Sequence, residues 1–364
     1  VLTIDLMPAK FGDAILLTYG SKRRPHRILI DAGLAAVAPA VLDKLGSFDG
    51  PIDLFVVTHV DIDHIGGAVR LLNEKSFTDR VLGVWFNGFK HLDEFSDLLG
   101  PIDGERLTTR LVELGIPWNA GWPWRDATAA TTPVGGPVVA AAGPKTVKLP
   151  GGASAIVISP TPTKLAKLIP VWKKAIEAAG LSPIAAAVHE PAEAPRRTLL
   201  GVPTLEEVAA RASDDDNAEA NGSSIGFVFR VKSGGVMRSV LFAADNHPDV
   251  LIAGLDALRK QKPKYKLDAC KLPHHGSRRN VTRGVVQRID CPLWLFSSNG
   301  VQFSHPNPEA LARVVVDGGP NPTIVGNYDT EFFTGFRDTY PPAQHGYTMT
   351  LPESGSEGIS IEIG

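Results

Sequence analysis

One ten-residue stretch constrains this chain more than any other: Thr58-His59-Val60-Asp61-Ile62-Asp63-His64-Ile65-Gly66-Gly67, at the end of the nearly continuous apolar run 52–58. Such a run reads as a buried strand, and the periodicity of residues 65–73 reads as a helix. Two imidazoles and two carboxylates therefore sit on a loop at a strand's C-terminal end. Packed within six residues, they repel one another unless a cation holds them. His59 and Asp61 can point one way while Asp63 and His64 point another, a disposition suited to two adjacent ions. Gly66-Gly67 is expected to turn the chain tightly into the helix.

Later segments end strands in residues of the same kind. The apolar run 236–243 delivers Asp245, and the strand 268–272 runs into Pro273-His274-His275-Gly276-Ser277. The strand 292–296 precedes Phe303-Ser304-His305-Pro306, and Asn221-Gly222-Ser223-Ser224 opens the strand 224–231. Residues 59–64 belong to the first half of the chain, whereas Asp245, His274 and His275 belong to the second. One site needs both halves, so residues 1–364 are expected to form a single domain.

The remaining pattern fits that expectation. Strands are expected at 2–6, 14–19, 27–30, 81–86 and 156–159, and helices at 36–45, 92–99, 105–114, 163–179, 247–260, 281–288 and 308–316. Strands punctuated by helices on both sides of residues 181–222 suggest two β-rich layers with helices outside. That stretch, rich in Pro, Ala and charge and containing Asp214-Asp215-Asp216, reads as an insertion or mobile, solvated excursion.

Composition sets the outer bounds. With 364 residues, 43% of them hydrophobic, the chain can bury a large core, which excludes disordered and disulfide-miniprotein classes. A net charge of −2 advertises no global basic field for nucleic acid, although a local patch at Lys271, Arg278 and Arg279 beside the paired histidines stays compatible with one. Cys270 and Cys291 lie in apolar, strand-like runs and read as small core residues, which fits a reducing compartment. No apolar run approaches the roughly 18 residues needed to span a bilayer. Residues 1–7 read as a strand without a basic region or cleavage site, so the expected location is cytoplasmic. A secretion signal already removed would leave the same sequence.

Together these residues resemble the metallo-β-lactamase superfamily, and within it the metallo-β-lactamase-like domain of the DNA-uptake channel protein ComEC and its stand-alone relatives. The likeness rests on Gly12-Asp13-Ala14, Ile30-Asp31-Ala32-Gly33, the stretch from His59 to Gly67, Asn221 with Ser224, Asp245, residues 273–277, and His305-Pro306 before a helix. The resemblance implies an α/β fold, a four-layer αββα sandwich whose ligands come from loops at one edge of two sheets. It implies one or two divalent ions, Zn or Mn with Mg possible. Asp63, His64, Asp245 and one of His274 or His275 would form the better site. His59, Asp61 and Asp245, with Asn221, would form the other. Asp61 replaces the usual second His, and Asn221 stands where a further His is expected. The outer position is therefore harder, which favours Mn²⁺ or Mg²⁺.

Two ions between these loops point to hydrolysis, with a water activated between them as nucleophile. Asp63 and His305 are the expected catalytic groups, and Asn221, Ser224, Lys271 and Ser277 are expected to contact substrate. Asp13 and Asp31 are expected to orient ligands from behind. The leading expectation is a phosphodiesterase or nuclease acting on a small-molecule or nucleic-acid phosphodiester. The alternatives are a metallohydrolase of a lactone, β-lactam or thioester, and a non-catalytic binding module on a degenerate metal site. Trp118, Trp122 and Trp124 stand either as a wall over the site or as core, and His247 as an exposed helix start or a site residue.

Overall fold

The computed structural model describes residues 1–92, 102–122, 134–179 and 202–364. The helix expected at 92–99, Trp124, and the first half of the excursion, 181–201, lie outside the described residues, apart from Leu92. Along the chain run β1 (Leu2–Leu6), β2 (Ile15–Ser21), β3 (Arg24–Ile30), β4 (Leu54–Val56), β5 (Val84–Trp85), β6 (Lys145–Lys148), β7 (Ser154–Ser159) and β8 (Gly226–Ser233). They continue with β9 (Val236–Phe242), β10 (Tyr265–Lys266), β11 (Ala269–Lys271), β12 (Ile289–Asp290), β13 (Leu293–Phe296), β14 (Thr323–Gly326), β15 (Thr348–Thr350) and β16 (Ile359–Glu362).

Two mixed sheets dominate. The first, ordered β16-β1-β2-β3-β4-β5, is antiparallel from β16 to β3 and parallel from β3 to β5. The second, ordered β15-β14-β13-β11-β9-β8-β7-β6, is parallel from β15 to β9 and antiparallel from β9 to β6.

Period-two alternation explains why the strands look apolar throughout. On β2 and β3, Ile15, Leu17, Ile28 and Ile30 join Phe227, Phe229, Val240 and Phe242 of the second sheet in one core between the sheets. Their alternates Leu16 and Leu29 pack outward with Val41, Ile65, Ala68 and Leu71, under the helices Ala38–Gly46 and Ile62–Leu71. On the far side, Val228, Leu241, Cys270 and Trp294 pack with Leu251, Leu255 and Leu311 from the helices Pro248–Arg259 and Pro308–Asp317. The result is the αββα order, with three apolar layers between four structural ones. Each large aliphatic or aromatic side chain so buried stabilises the stack by about 1.5–3 kcal/mol.

Several boundaries differ from the sequence-based expectation. The helix after the motif begins at Ile62 with Asp61 as its N-cap, so Asp63 and His64 occupy a helical first turn, where a carboxylate is favoured by the helix dipole. Gly66 and Gly67 are therefore helical and make no tight turn. A Cβ on Gly67 would overlap the Ala32 carbonyl, and its amide donates to Gly33 O at 2.8 Å, so the glycine permits close approach of the β3 loop. The helix expected at 281–288 shrinks to Arg283–Val286, because Thr282 caps it by accepting the Val285 amide. Residues 202–222 pack down: the helix Leu205–Ala209 buries Leu205, Val208 and Ala209 in the outer core of the second sheet. The strands β14 to β16 add to those expected, and β16 returns from the chain's end to pair with β1. Among the described residues, no helix is long and apolar enough to cross a membrane.

Candidate metal centre

The loops that carry the suspected ligands all leave C-terminal strand ends: β4 leads to His59, β9 to Asp245, β11 to His274 and His275, and β13 to His305. Their backbones are bent to do so. Asp31, Ala244, His274, His275 and Ser304 all have left-handed φ, between 46 and 55°. Each such non-glycine residue costs on the order of 1 kcal/mol, a strain that concentrates where side chains must be aimed.

Asp31, fully buried at the end of β3, organises the first half of the site. Its carboxylate accepts the Thr58 amide at 2.7 Å, the Thr58 hydroxyl at 2.7 Å and His64 Nδ1–H at 2.8 Å. With its hydrogen committed to Asp31, Thr58 Oγ1 can only accept from His59 Nδ1, 2.9 Å away. Both histidines are thus held with the proton on Nδ1 and the lone pair on Nε2. His275 reaches the same state because Nδ1 donates to Ser297 O at 2.9 Å.

The three lone pairs converge on Asp245. His64 Nε2 and His275 Nε2 stand 3.2 Å apart. Asp245 Oδ2 lies 3.3 Å from the first and 3.4 Å from the second, and Asp63 Oδ2 lies 3.8 and 3.5 Å from them. A tetrahedral cation with bonds of about 2.0–2.1 Å would demand ligand edges of roughly 3.3–3.4 Å. The four atoms therefore enclose a hole of cation size. Outside it, His59 Nε2 lies 3.9 Å and His274 Nε2 3.8 Å from the same Asp245 oxygen, and Asp61 Oδ2 lies 3.6 Å from His59 Nε2.

His59 Nε2 and Asp245 Oδ1 are buried without a hydrogen-bond partner, a costly arrangement that a cation would relieve. Among the described residues, ligand atoms lying within 4.8 Å of one another group as His59, His64 and Asp245, as Asp63, His64 and His275, and in two sets containing Asp13; neither Asp61 nor His274 enters such a group. These residues fit a divalent metal ion, better at the inner position than at the outer.

The electrostatics agree. Burial opposes charging of His64 and His275, but the facing carboxylates, Asp245 foremost, hold both pKa values well above the usual imidazole range. Burial likewise opposes ionisation of Asp245, and His275, His64 and His274 outweigh it, pulling its pKa well down. His274 is disfavoured as a cation by burial yet raised to about 9 by Asp245 and Asp216. The cluster is a set of carboxylates demanding positive charge, from protons or from a metal.

Other expected residues land differently. Asp13 accepts Lys271 Nζ at 2.8 Å and lies 3.5 Å from His275 Nδ1. Lys271, 1% exposed, is therefore an interior ion-pair partner and no basic rim for substrate. Ser277 is buried too: its hydroxyl accepts the Arg279 amide at 3.3 Å and its amide donates to His274 O, which closes the histidine turn. Asn221 Oδ1 and Ser224 Oγ are buried without a hydrogen-bond partner. His305 is buried with its ring centroid 5.4 Å from that of His274, and burial with the neighbouring His274 and His275 pushes its pKa well below the usual value. Phe303 and then Phe11 extend this row of rings outward.

His247 is buried rather than exposed, with Nε2 donating to Ala218 O at 2.8 Å. Trp118 and Trp122 are core residues, and Trp118 donates to Phe86 O at 2.7 Å. Sequence reasoning misses Thr58 as a relay, Ser297 as an acceptor, and Asp216 and Asn280 behind His274. The nearest available signal is Asn280, six residues after His274 in the same turn.

Residues 13–144 match the model of the metallo-beta-lactamase superfamily, so this stretch carries a domain of that superfamily. No curated protein matches the sequence. Among solved structures, the metallo-beta-lactamase fold protein YhfI from Bacillus subtilis is 11% identical, with a TM-score of 0.40, over 99% of this chain and 98% of that one. MEM-A1, a subclass B3 metallo-beta-lactamase from a soil metagenome library, is 12% identical, with a TM-score of 0.28, over 73% of this chain and 78% of that one.

Proposed function

Starting from a chain that carries a metallo-β-lactamase superfamily domain, we propose that it is a metal-dependent hydrolase acting on a phosphodiester, in a small molecule or a nucleic acid. The observation that carries the hydrolase reading is the convergence of His64 Nε2, His275 Nε2, Asp63 Oδ2 and Asp245 Oδ2 at 3.2–3.8 Å with the histidine protons tied away from the centre. Asp63, His64, His275 and Asp245 would hold one divalent cation; His59, Asp61, Asp245 and His274 would hold a second. Such cations supply Lewis acidity and lower the pKa of water.

The chain's own groups supply the rest. Asp245 presents one oxygen to both donor sets. Asp31 and Ser297 keep the imidazoles in the ligating tautomer. His305 stays neutral through burial and is placed beside His274 to hydrogen-bond a substrate or leaving-group oxygen. The half-buried Phe11 and Phe303 offer an apolar wall to the leaving group. The phosphodiester assignment is supported by Asp61 in the outer set, where the superfamily resemblance leads one to expect an imidazole; a carboxylate there favours Mn²⁺ or Mg²⁺, ions suited to phosphoryl chemistry.

Hydrolysis of bis-p-nitrophenyl phosphate and of nitrocefin, each with Mn²⁺ or Zn²⁺ added to chelator-treated protein, tests the assignment. Metal-dependent phosphodiester turnover exceeding nitrocefin turnover is expected. Brisk nitrocefin hydrolysis without phosphodiesterase activity overturns the substrate class, and no metal uptake overturns the hydrolase reading.

A further inference from the structure

Residues 214–216 look like a solvated acidic run, and Asp214 and Asp215 are indeed exposed. Asp216 is 5% exposed. Its carboxylate accepts Asn221 Nδ2 at 2.7 Å, Asn280 Nδ2 at 2.9 Å and the Ala218 amide at 3.0 Å. The Asn280 amide nitrogen also faces Asn246 O at 3.2 Å and Asp245 O at 3.3 Å. Three acceptors around one nitrogen fix which way this amide lies. Asn280 Oδ1 must then be the atom 3.0 Å from His274 Nδ1, so it accepts that proton and leaves the His274 lone pair on Nε2, facing Asp245. The Asn221 amide is fixed in the same way, with Nδ2 on Asp216, 3.5 Å from His274 Nδ1, and a buried, unpartnered Oδ1.

Asp216 is itself anchored to the histidine turn. Ser213 Oγ donates to Arg278 O at 2.9 Å, and Arg279 Nη2 donates to Asp215 O at 3.1 Å. The buried Arg313 guanidinium ties Ala209 O and Arg211 O to Arg278 O and Val281 O. The segment before Asn221 and the turn after His274 are thus tied to each other by hydrogen bonds.

We infer that Asp216 is a positioning residue for the outer cation position: through Asn280, and with its own carboxylate oxygen 3.5 Å from His274 Nδ1, it holds the His274 imidazole as the Nδ1–H tautomer with Nε2 toward Asp245, and it fixes the Asn221 amide nitrogen beside that ring. This rests on the metal-centre reading above and adds a residue from a segment that reads as ornament in the sequence. The inner imidazoles have their own anchors, Asp31 for His64 and Ser297 O for His275.

The test is a calorimetric titration of chelator-treated protein with Zn²⁺, for the wild type, Asp216→Asn and Asn280→Ala, joined to ¹⁵N NMR of the zinc-loaded imidazoles and a melting curve for each variant. The wild type is expected to take up two equivalents, with His274 protonated on Nδ1. Both variants are expected to lose about tenfold or more in affinity for the second equivalent only. The first equivalent should stay unchanged, each variant should still melt in one cooperative transition at a lower temperature, and the double variant should lose no more affinity than either single one. If Asp216→Asn does not fold, Asn280→Ala carries the same reading. Equal loss at both equivalents, loss at neither, a wild type with a single equivalent, or His274 protonated on Nε2 overturns the inference. Uptake of no zinc by the wild type overturns the metal-centre reading itself.

Discussion

The two sides of Asp245 are built from the same residue types but to different standards. On the inner side, Asp63, His64 and His275 are buried, and their ligand atoms lie 3.2–3.8 Å from one another. On the outer side, the Asp61 side chain is 42% exposed, that of His274 is 13% exposed, and the donors stand 3.6–3.9 Å from their neighbours. The difference follows from what stands behind each ligand. Asp31 and Ser297 O clamp the inner imidazoles directly, whereas His274 is held through an amide that is itself held by Asp216. Water screens Asp61, and a solvated carboxylate contributes less to holding a cation than a buried one.

The largest expected effect comes from the atom both sides share. Asp245→Ala should lower bound metal, measured by elemental analysis, to below about one equivalent and cut turnover by roughly 10³-fold, the scale of several kcal/mol of lost transition-state stabilisation. Retained metal content would show that the two sides do not depend on one oxygen. Next, His275→Ala and His274→Ala should separate: the first should abolish the tight equivalent, and the second should leave it intact while weakening the other. Identical titration curves would erase the distinction between inner and outer. Asp31→Asn should then cost about 10–100-fold in affinity at the inner position, because His64 and Thr58 lose a charged acceptor. Asp61→Ala should be mildest, about tenfold or less and confined to the outer equivalent.

Acid–base behaviour sharpens the same comparison. In chelator-treated protein the pKa values of His64, His275 and His274 are raised, so their contribution to stability is full below about pH 6.5. For His274 it is lost as pH rises toward about 9. Asp63 and Asp245, with lowered values, contribute above about pH 4 and lose that contribution only in stronger acid. Metal replaces the histidine protons, so the melting-temperature gain on adding Zn²⁺ should grow by a few degrees between pH 6.5 and 9. A gain that is flat or falls over that interval would contradict the proton-for-metal exchange.

Much of this architecture is legible in the amino-acid sequence. The apolar run into the motif, the strand before Asp245 and the strand before the histidine pair declare themselves by composition alone, because strands covered on both faces cannot carry polar residues until they emerge at an edge. The αββα architecture is implied by the resemblance those motifs carry, and the layers bear it out. Lys271 misleads because its charge suggests a rim, while a partner 258 residues away, Asp13, lets it be buried. Asp216 misleads for the opposite reason: it sits in an acidic run whose first two members really are solvated, and nothing local distinguishes the third.

By itself, then, the sequence determined which residue types are brought to the strand ends and that both halves of the chain must meet to make one centre. Period-two burial and ligand chemistry are local properties, readable along the chain. Only the tertiary structure decided which of two adjacent histidines faces the inner hole, which nitrogen of each imidazole carries its proton, and which charges are spent inside on one another. Those choices depend on left-handed backbone turns and on acceptors such as Ser297 O and Asn280 Oδ1 that folding brings up behind the rings.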